Sequence, residues 1–169
     1  NGQYRELLTH YLVRAKSCDG IQRVHFLMRI AGTYEKMGKS GDAVEILQKV
    51  LSLEPDFTLA RFELSRMARQ NENWAIVAEA EELLARSAPT EQKRVEHLTG
   101  AARVLSRRLG ETQKAIPILR KVVAIDPENQ EAFQGLRAFY AESEDSADRS
   151  QLLHIIDQRL RVATDDEAR

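Results

Sequence analysis

Four histidines, His10, His25, His97 and His154, and a single cysteine, Cys18, are the side chains best suited to metal or nucleophilic chemistry. No pair of them has HxxxH or CxxC spacing, so a metal would need ligands converging from separate segments. Cys18 would act as a nucleophile only beside a base. His25 lies seven residues on, with no third group to orient it. The eight glycines are dispersed and form neither GxGxxG nor GxxxxGK, the backbone cradles that hold phosphate. The acidic pairs Glu81-Glu82 and Asp165-Asp166 read as solvated charge on a helix face and at the tail. These residues point to no enzyme, no cofactor and no metal. Function is expected on a binding surface.

The elements that would position such a surface are helices. Apolar residues recur at three- and four-residue intervals almost throughout. The spacing predicts nine helices, at 4–17, 21–38, 41–53, 57–70, 73–86, 91–109, 112–125, 129–142 and 148–163. No segment alternates with period two, so no sheet is expected. Charged residues make up 30% and aromatics 6%, which suits helical pairs with salt-laced outer faces. Net charge is −1, which argues against a dedicated nucleic-acid binder. No apolar run approaches the roughly 18 residues of a membrane span. With one cysteine no intramolecular disulfide can form, which is compatible with a reducing, cytoplasmic compartment.

The breaks carry a ladder of prolines. Pro55 to Pro89 is 34 residues and Pro89 to Pro127 is 38, the spacing of a helical repeat array. Gly38 and Gly110 are each placed to close a helix. Asp126-Pro127-Glu128 reads as a helix start, with Asp126 as cap and Pro127 in the first turn. Pro117 falls inside a helix, near its start, where a bend rather than a break is expected. Connections of about two to six residues make neighbouring helices antiparallel.

The clearest repeat runs from Val24 to Pro55. Leu27, Ile30, Ala31 and Tyr34 line its first helix, Gly38 ends that helix, and Ala43, Leu47 and Val50 line the second. In these residues the chain resembles the tetratricopeptide repeat family. The resemblance puts Ala31 and Ala43 at positions that must stay small because two helix backbones approach there. Thr58–Pro89 keeps the length but departs from the pattern: Ser65 takes the small position, Ala68 replaces the tyrosine, and Glu81 stands where a large apolar residue belongs. Glu96–Pro127 recovers Gly110, Ala115, Leu119 and Val122, with Arg103 at the small position. A further unit, 130–163, is built on Phe133, Leu136 and Tyr140, then Leu152, Leu153, Ile156 and Leu160. The stretch 4–17 reads as the second helix of a truncated motif. A 72-residue period also appears, since GKSGDAVEILQKVLSLEP pairs with GETQKAIPILRKVVAIDP. The resemblance implies an all-α solenoid of antiparallel helix pairs in a right-handed superhelix. It treats 1–169 as a single array, excerpted from a longer bacterial one.

In such arrays the first helix of each motif lines a concave groove. That carry-over selects His25, Met28, Gly32, Glu35 and Lys36, then Leu59, Phe62, Arg66, Arg69 and Gln70. It continues with His97, Gly100, Val104, Arg107 and Arg108, then Glu131, Gln134 and Ala138. Met28, Leu59 and Phe62 are apolar without being needed for the core. Arg66, Arg69, Arg107 and Arg108 form a basic stretch whose forks suit carboxylates. Helix-end arginines favoured by the helix dipole are the plainer reading. Met28 and Gly32 stand where a carboxylate clamp would have Lys and Asn, so no clamp is implied. The resemblance thus implies a non-catalytic scaffold that takes an acidic-apolar protein or peptide segment in its groove, with Met28, Lys36, Leu59, Phe62, Arg66, Arg69, Arg107 and Arg108 as contact residues. The alternatives are a structural spacer and, behind it, an RNA-binding helical repeat. Apolar faces at Leu8, Leu12, Ile155 and Leu160 would allow end-to-end self-association.

Overall fold

The computed structural model describes residues 2–142, 150–151, 153–157 and 159. Eight helices are defined among them: α1 Gly2–Ser17, α2 Gly20–Lys36, α3 Ser40–Leu53, α4 Thr58–Gln70, α5 Trp74–Arg86, α6 Glu91–Arg107, α7 Thr112–Ile125 and α8 Gln130–Glu142. The described residues from 150 to 159 are also helical, and no described residue is in a strand. Leu152, Leu160 and the Asp165-Asp166 pair lie outside the described residues. The eight helices fall within about two residues of the periodicity expected from the sequence.

The chain divides into two compact units, Asn1–Ser87 and Ala88–Arg169. In the first, α1 to α5 pack in chain order, α1 on α2, α2 on α3, α3 on α4 and α4 on α5. In the second, α6 packs on α7 and α7 on α8. The short connections make each of these pairs antiparallel. The first unit's core joins Val24, Leu27, Ile30 and Ala31 of α2 to Ala43, Leu47 and Val50 of α3, and to Ala60, Leu64 and Met67 of α4. Ala31 and Ala43 are fully enclosed, as small residues at a helix–helix approach should be.

Gly38 and Gly110 adopt φ of +73° and +69°, the left-handed conformation that closes a helix at least cost to glycine. After α2, Lys39 N–H donates back to Tyr34 O at 2.9 Å, tying off the last turn. The turn after α4 repeats this bond from Asn73 N–H to Ala68 O at 2.9 Å. There the left-handed residue is Glu72, with φ +53°. The divergent motif has kept the turn without the glycine.

Asp126 does not start α8. Its N–H still donates to Val122 O within the end of α7, at 2.8 Å. Its carboxylate accepts from the Glu128 N–H at 3.1 Å and so caps an intervening turn. Asn129 is the cap, its Oδ1 accepting from the Ala132 N–H at 3.1 Å. Helix α7 continues through Pro117. The carbonyl that loses its donor is that of Gln113, an exposed residue in the first turn of the helix. Of the residues expected at exposed ends, Leu12 is exposed, but Leu8 packs on the first unit's core and Ile155 is buried. Both are covered because neighbouring helices of their own units lie over them.

Enlarging Ala43 to Leu should overpack the α2–α3 core and lower stability by ~1–3 kcal/mol. Urea denaturation followed by circular dichroism measures this, and an unchanged midpoint would show that the site has room.

Candidate functional site

The face carried by α2 and α4 is braced by ions. The Arg66 Nη1 donates to Glu35 Oε1 on α2 at 2.7 Å. Its Nε and Nη2 both donate to Glu63 Oε2, at 2.9 and 2.6 Å. One guanidinium therefore ties two consecutive motifs together. The hydrogen bond from Arg66 holds the Glu35 carboxyl below its ordinary value, against a smaller opposing effect of burial. The hydrogen bonds to Glu35 and Glu63 push the Arg66 guanidinium further up.

One turn along α4, Arg69 Nη2 donates to Glu81 Oε1 of α5 at 2.7 Å, and Ser65 Oγ donates to the same oxygen at 2.8 Å. Glu81 is only 8% exposed. The expectation of a solvated Glu81 is therefore corrected. Its carboxylate occupies the place of a large apolar side chain, and the hydroxyl and guanidinium compensate for its desolvation. Arg61 is a structural residue that sequence reasoning missed. It is buried, and donates to Leu83 O at 3.2 Å and Asp56 Oδ1 at 2.7 Å, and also to Pro55 O. Its position in the motif matches that of Leu27, 34 residues earlier. This is the one signal that places it inside.

The expected contact residues of the first unit thus separate. Leu59 and Phe62, one turn apart on α4, are 55% and 54% exposed. Lys36, His25 and Gln70 are exposed as well, whereas Met28 and Gly32 are half-buried. Met28 packs against the core. Arg66 and Arg69 direct their forks to carboxylates of their own chain.

In the second unit, Arg103 donates through Nε to Glu131 Oε1 at 2.7 Å and through Nη2 to Oε2 at 2.5 Å, joining α6 to α8. That hydrogen bonding holds Glu131 down and Arg103 up. Arg107 stands 3.6 Å from Glu131 Oε1 and is 70% exposed in its side chain. Arg108, Gln134 and Ala138 are exposed, and His97 and Gly100 half-buried. Val104, expected in the groove, is buried instead. It belongs to the apolar face of α6, with Ala101 and Leu105. A hollow of about 230 Å³ opens between α6 and α8, with Thr99 in its wall. The Thr99 hydroxyl is buried without a partner among the described residues, an arrangement that costs ~1–3 kcal/mol.

Cys18 is a free, half-buried thiol. Among the described residues no three His, Cys, Asp or Glu side chains converge as metal ligands. No described helix is long and apolar enough to cross a membrane.

Two segments, residues 24–57 and 101–129, match the tetratricopeptide repeat family model. No curated protein matches the chain. Among solved structures, a Podosopora anserina putative kinesin light chain with nearly identical TPR-like repeats aligns at 19% identity and a TM-score of 0.52. That alignment covers 98% of this chain and 90% of the other. A double mutant of the MamA protein from RS-1 aligns at 17% identity and a TM-score of 0.51, covering 95% and 86%. At such identities the likeness is one of fold, and the fold is that of stacked tetratricopeptide helix pairs.

The ion ties make stability acid-dependent. The folded Glu35 and Glu131 carboxyls titrate below their ordinary value of 4.5. Each contribution is therefore complete above that value and lost as pH falls through the lower, folded one. Melting temperatures of Glu35→Gln and Glu131→Gln should lie below wild type at neutral pH, with the gap closing in acid. A gap that stays constant with pH would show that the carboxylate charge is not what matters.

Proposed function

We propose that this chain, two segments of which match the tetratricopeptide repeat model, is a non-catalytic protein-interaction scaffold. Its docking surface in the first unit is the α2–α4 face. Leu59 and Phe62 carry this reading. They are large apolar side chains, more than half exposed, on a helix whose neighbouring side chains are held by Glu35, Glu63 and Glu81. An aromatic anchor on a rigid frame suits a hot spot, because little side-chain freedom is lost when a partner docks.

The partner is a protein or peptide segment that presents apolar side chains to Leu59 and Phe62 and acidic ones to the exposed cations. Lys36 is the exposed cation expected on the first unit's contact surface. Taken by itself, the second unit has Arg107 exposed, 3.6 Å from Glu131.

A spacer function is favoured by a different observation. The ties Arg66–Glu35 and Arg103–Glu131 fill the first-helix faces with side chains from neighbouring motifs, as an array that only sets distance would do.

Quantitative affinity capture with wild-type chain and the Leu59→Asp/Phe62→Asp variant separates the two. Both positions are surface sites, so the variant should melt within a few degrees of wild type. The scaffold reading expects at least a tenfold loss of specifically captured protein, about 1.4 kcal/mol or more of binding energy. An identical captured set from a folded variant leaves the spacer.

A further inference from the structure

Four residues share one position across the motifs, at steps of 34, 38 and 34: Leu27, Arg61, Thr99 and Phe133. Three are large. Leu27 and Arg61 are buried, and Phe133 is half-buried beneath Arg159. Thr99 alone is small, and the hollow of about 230 Å³ opens beside it. The neighbouring departure has the opposite sense. Arg103 stands 72 residues after Ala31, at the position that is small, Ala31 and Ser65, in the first two motifs. Its guanidinium reaches across to Glu131 instead of packing inward. A shortened side chain and a lengthened one have together replaced packed core by a lined recess.

The lining has a definite chemistry. Ala102 and Leu119 supply apolar wall, and Thr99, Gln134, Arg107 and the Arg103–Glu131 pair supply polar groups. Gly135 lets Leu119 pack closely on α8, since a Cβ there would come within 2.8 Å of Leu119 Cδ1. Two guanidiniums face one carboxylate. Both oxygens of Glu131 are taken by Arg103, and Arg107 is beyond good hydrogen-bonding distance at 3.6 Å and largely exposed. The recess therefore carries a net positive charge with unused donors at its rim.

We propose that this recess receives an acidic side chain, a glutamate, of the protein partner. The methylenes would lie on Ala102 and Leu119, and the carboxylate would take donors from Arg107 and the amide of Gln134. The assignment rests on the scaffold reading for the existence of a partner, but it uses none of the residues that carry that reading. Thr99, Ala102 and Arg103 stand where Leu27, Ile30 and Ala31 are packed inside in the first motif, so the floor of the recess is particular to this chain's departures from the repeat.

Titration of the full chain with N-acetylglutamate N-methylamide, followed by amide NMR shifts, tests it. Saturable shifts are expected at Thr99, Gln134 and Gly135, with the glutamine counterpart binding about fivefold more weakly because the hydrogen bonds lose their charge. Thr99→Leu restores the side chain of the first motif and fills the recess. It should abolish glutamate binding while leaving the melting temperature equal or higher. Arg107→Gln, at an exposed site, should weaken glutamate binding and not glutamine binding, whatever Thr99→Leu does to folding. Equal binding of the two probes, shifts that do not saturate, or a folded Thr99→Leu chain with wild-type affinity would each overturn the proposal. Failure here leaves the capture experiment on Leu59 and Phe62 unaffected, so the two readings fall separately.

Discussion

Close approach of helix backbones is the constraint from which the rest of the first unit follows. Helices α2 and α3 pack with Ala31 and Ala43 enclosed between apolar neighbours. Small residues there bring the backbones near enough for Leu27, Ile30, Leu47 and Val50 to interdigitate. Gly38 makes the tight turn between these two helices, and α4 then packs against α3. The α2–α4 face, with its ion ties, is a consequence of this stacking. A helix of this length would be marginal in isolation, so its apolar stripe and not its propensity determines where it sits.

The second motif shows how far the apolar pattern can be replaced while the backbone persists. Arg61 sits at a leucine position and Glu81 at a large apolar one, yet both are buried. Each carries its own partners. Arg61 donates to the carbonyls of Pro55 and Leu83, and Glu81 accepts from Ser65 and Arg69. Desolvating such groups is costly, and a well-packed apolar substitute is often at least as stable. What the polar set adds is directionality. Hydrogen bonds fix α4 against α5 in one register, where a greasy contact would tolerate sliding. The same motif keeps a left-handed turn at Glu72 without glycine, a backbone cost carried by the surrounding bonds.

The helices were legible in the sequence because a 3.6-residue apolar period, with glycine and proline at its ends, is a local signal. Ala31, Ala43, Gly38 and Gly110 stand where the repeat pattern put them. Asp126 misled because an Asp-Pro pair suits a turn as well as a helix start, and only the bond from Asp126 N–H to Val122 O decides between them. The arginines were harder. Their forks were readable, but their partners Glu35, Glu81 and Glu131 lie 31, 12 and 28 residues away along the chain. Pairing at such separations is set by tertiary packing. Thr99 was silent for a related reason: a threonine on an apolar helical face looks like core until its neighbours fail to fill the space around it.

Internal pairing of Arg66 and Arg69 changes what an incoming segment meets. In a free guanidinium, the fork would be desolvated and ordered at the moment of binding, and both costs would weaken the complex. Here the ordering is already complete, and the positive charge is largely matched by Glu35, Glu63 and Glu81. The surface around Leu59 and Phe62 is thus closer to neutral than the arginine count suggests. Selectivity there must come chiefly from shape and apolar contact, and charge discrimination falls to sites where a cation keeps unused donors, as Arg107 does.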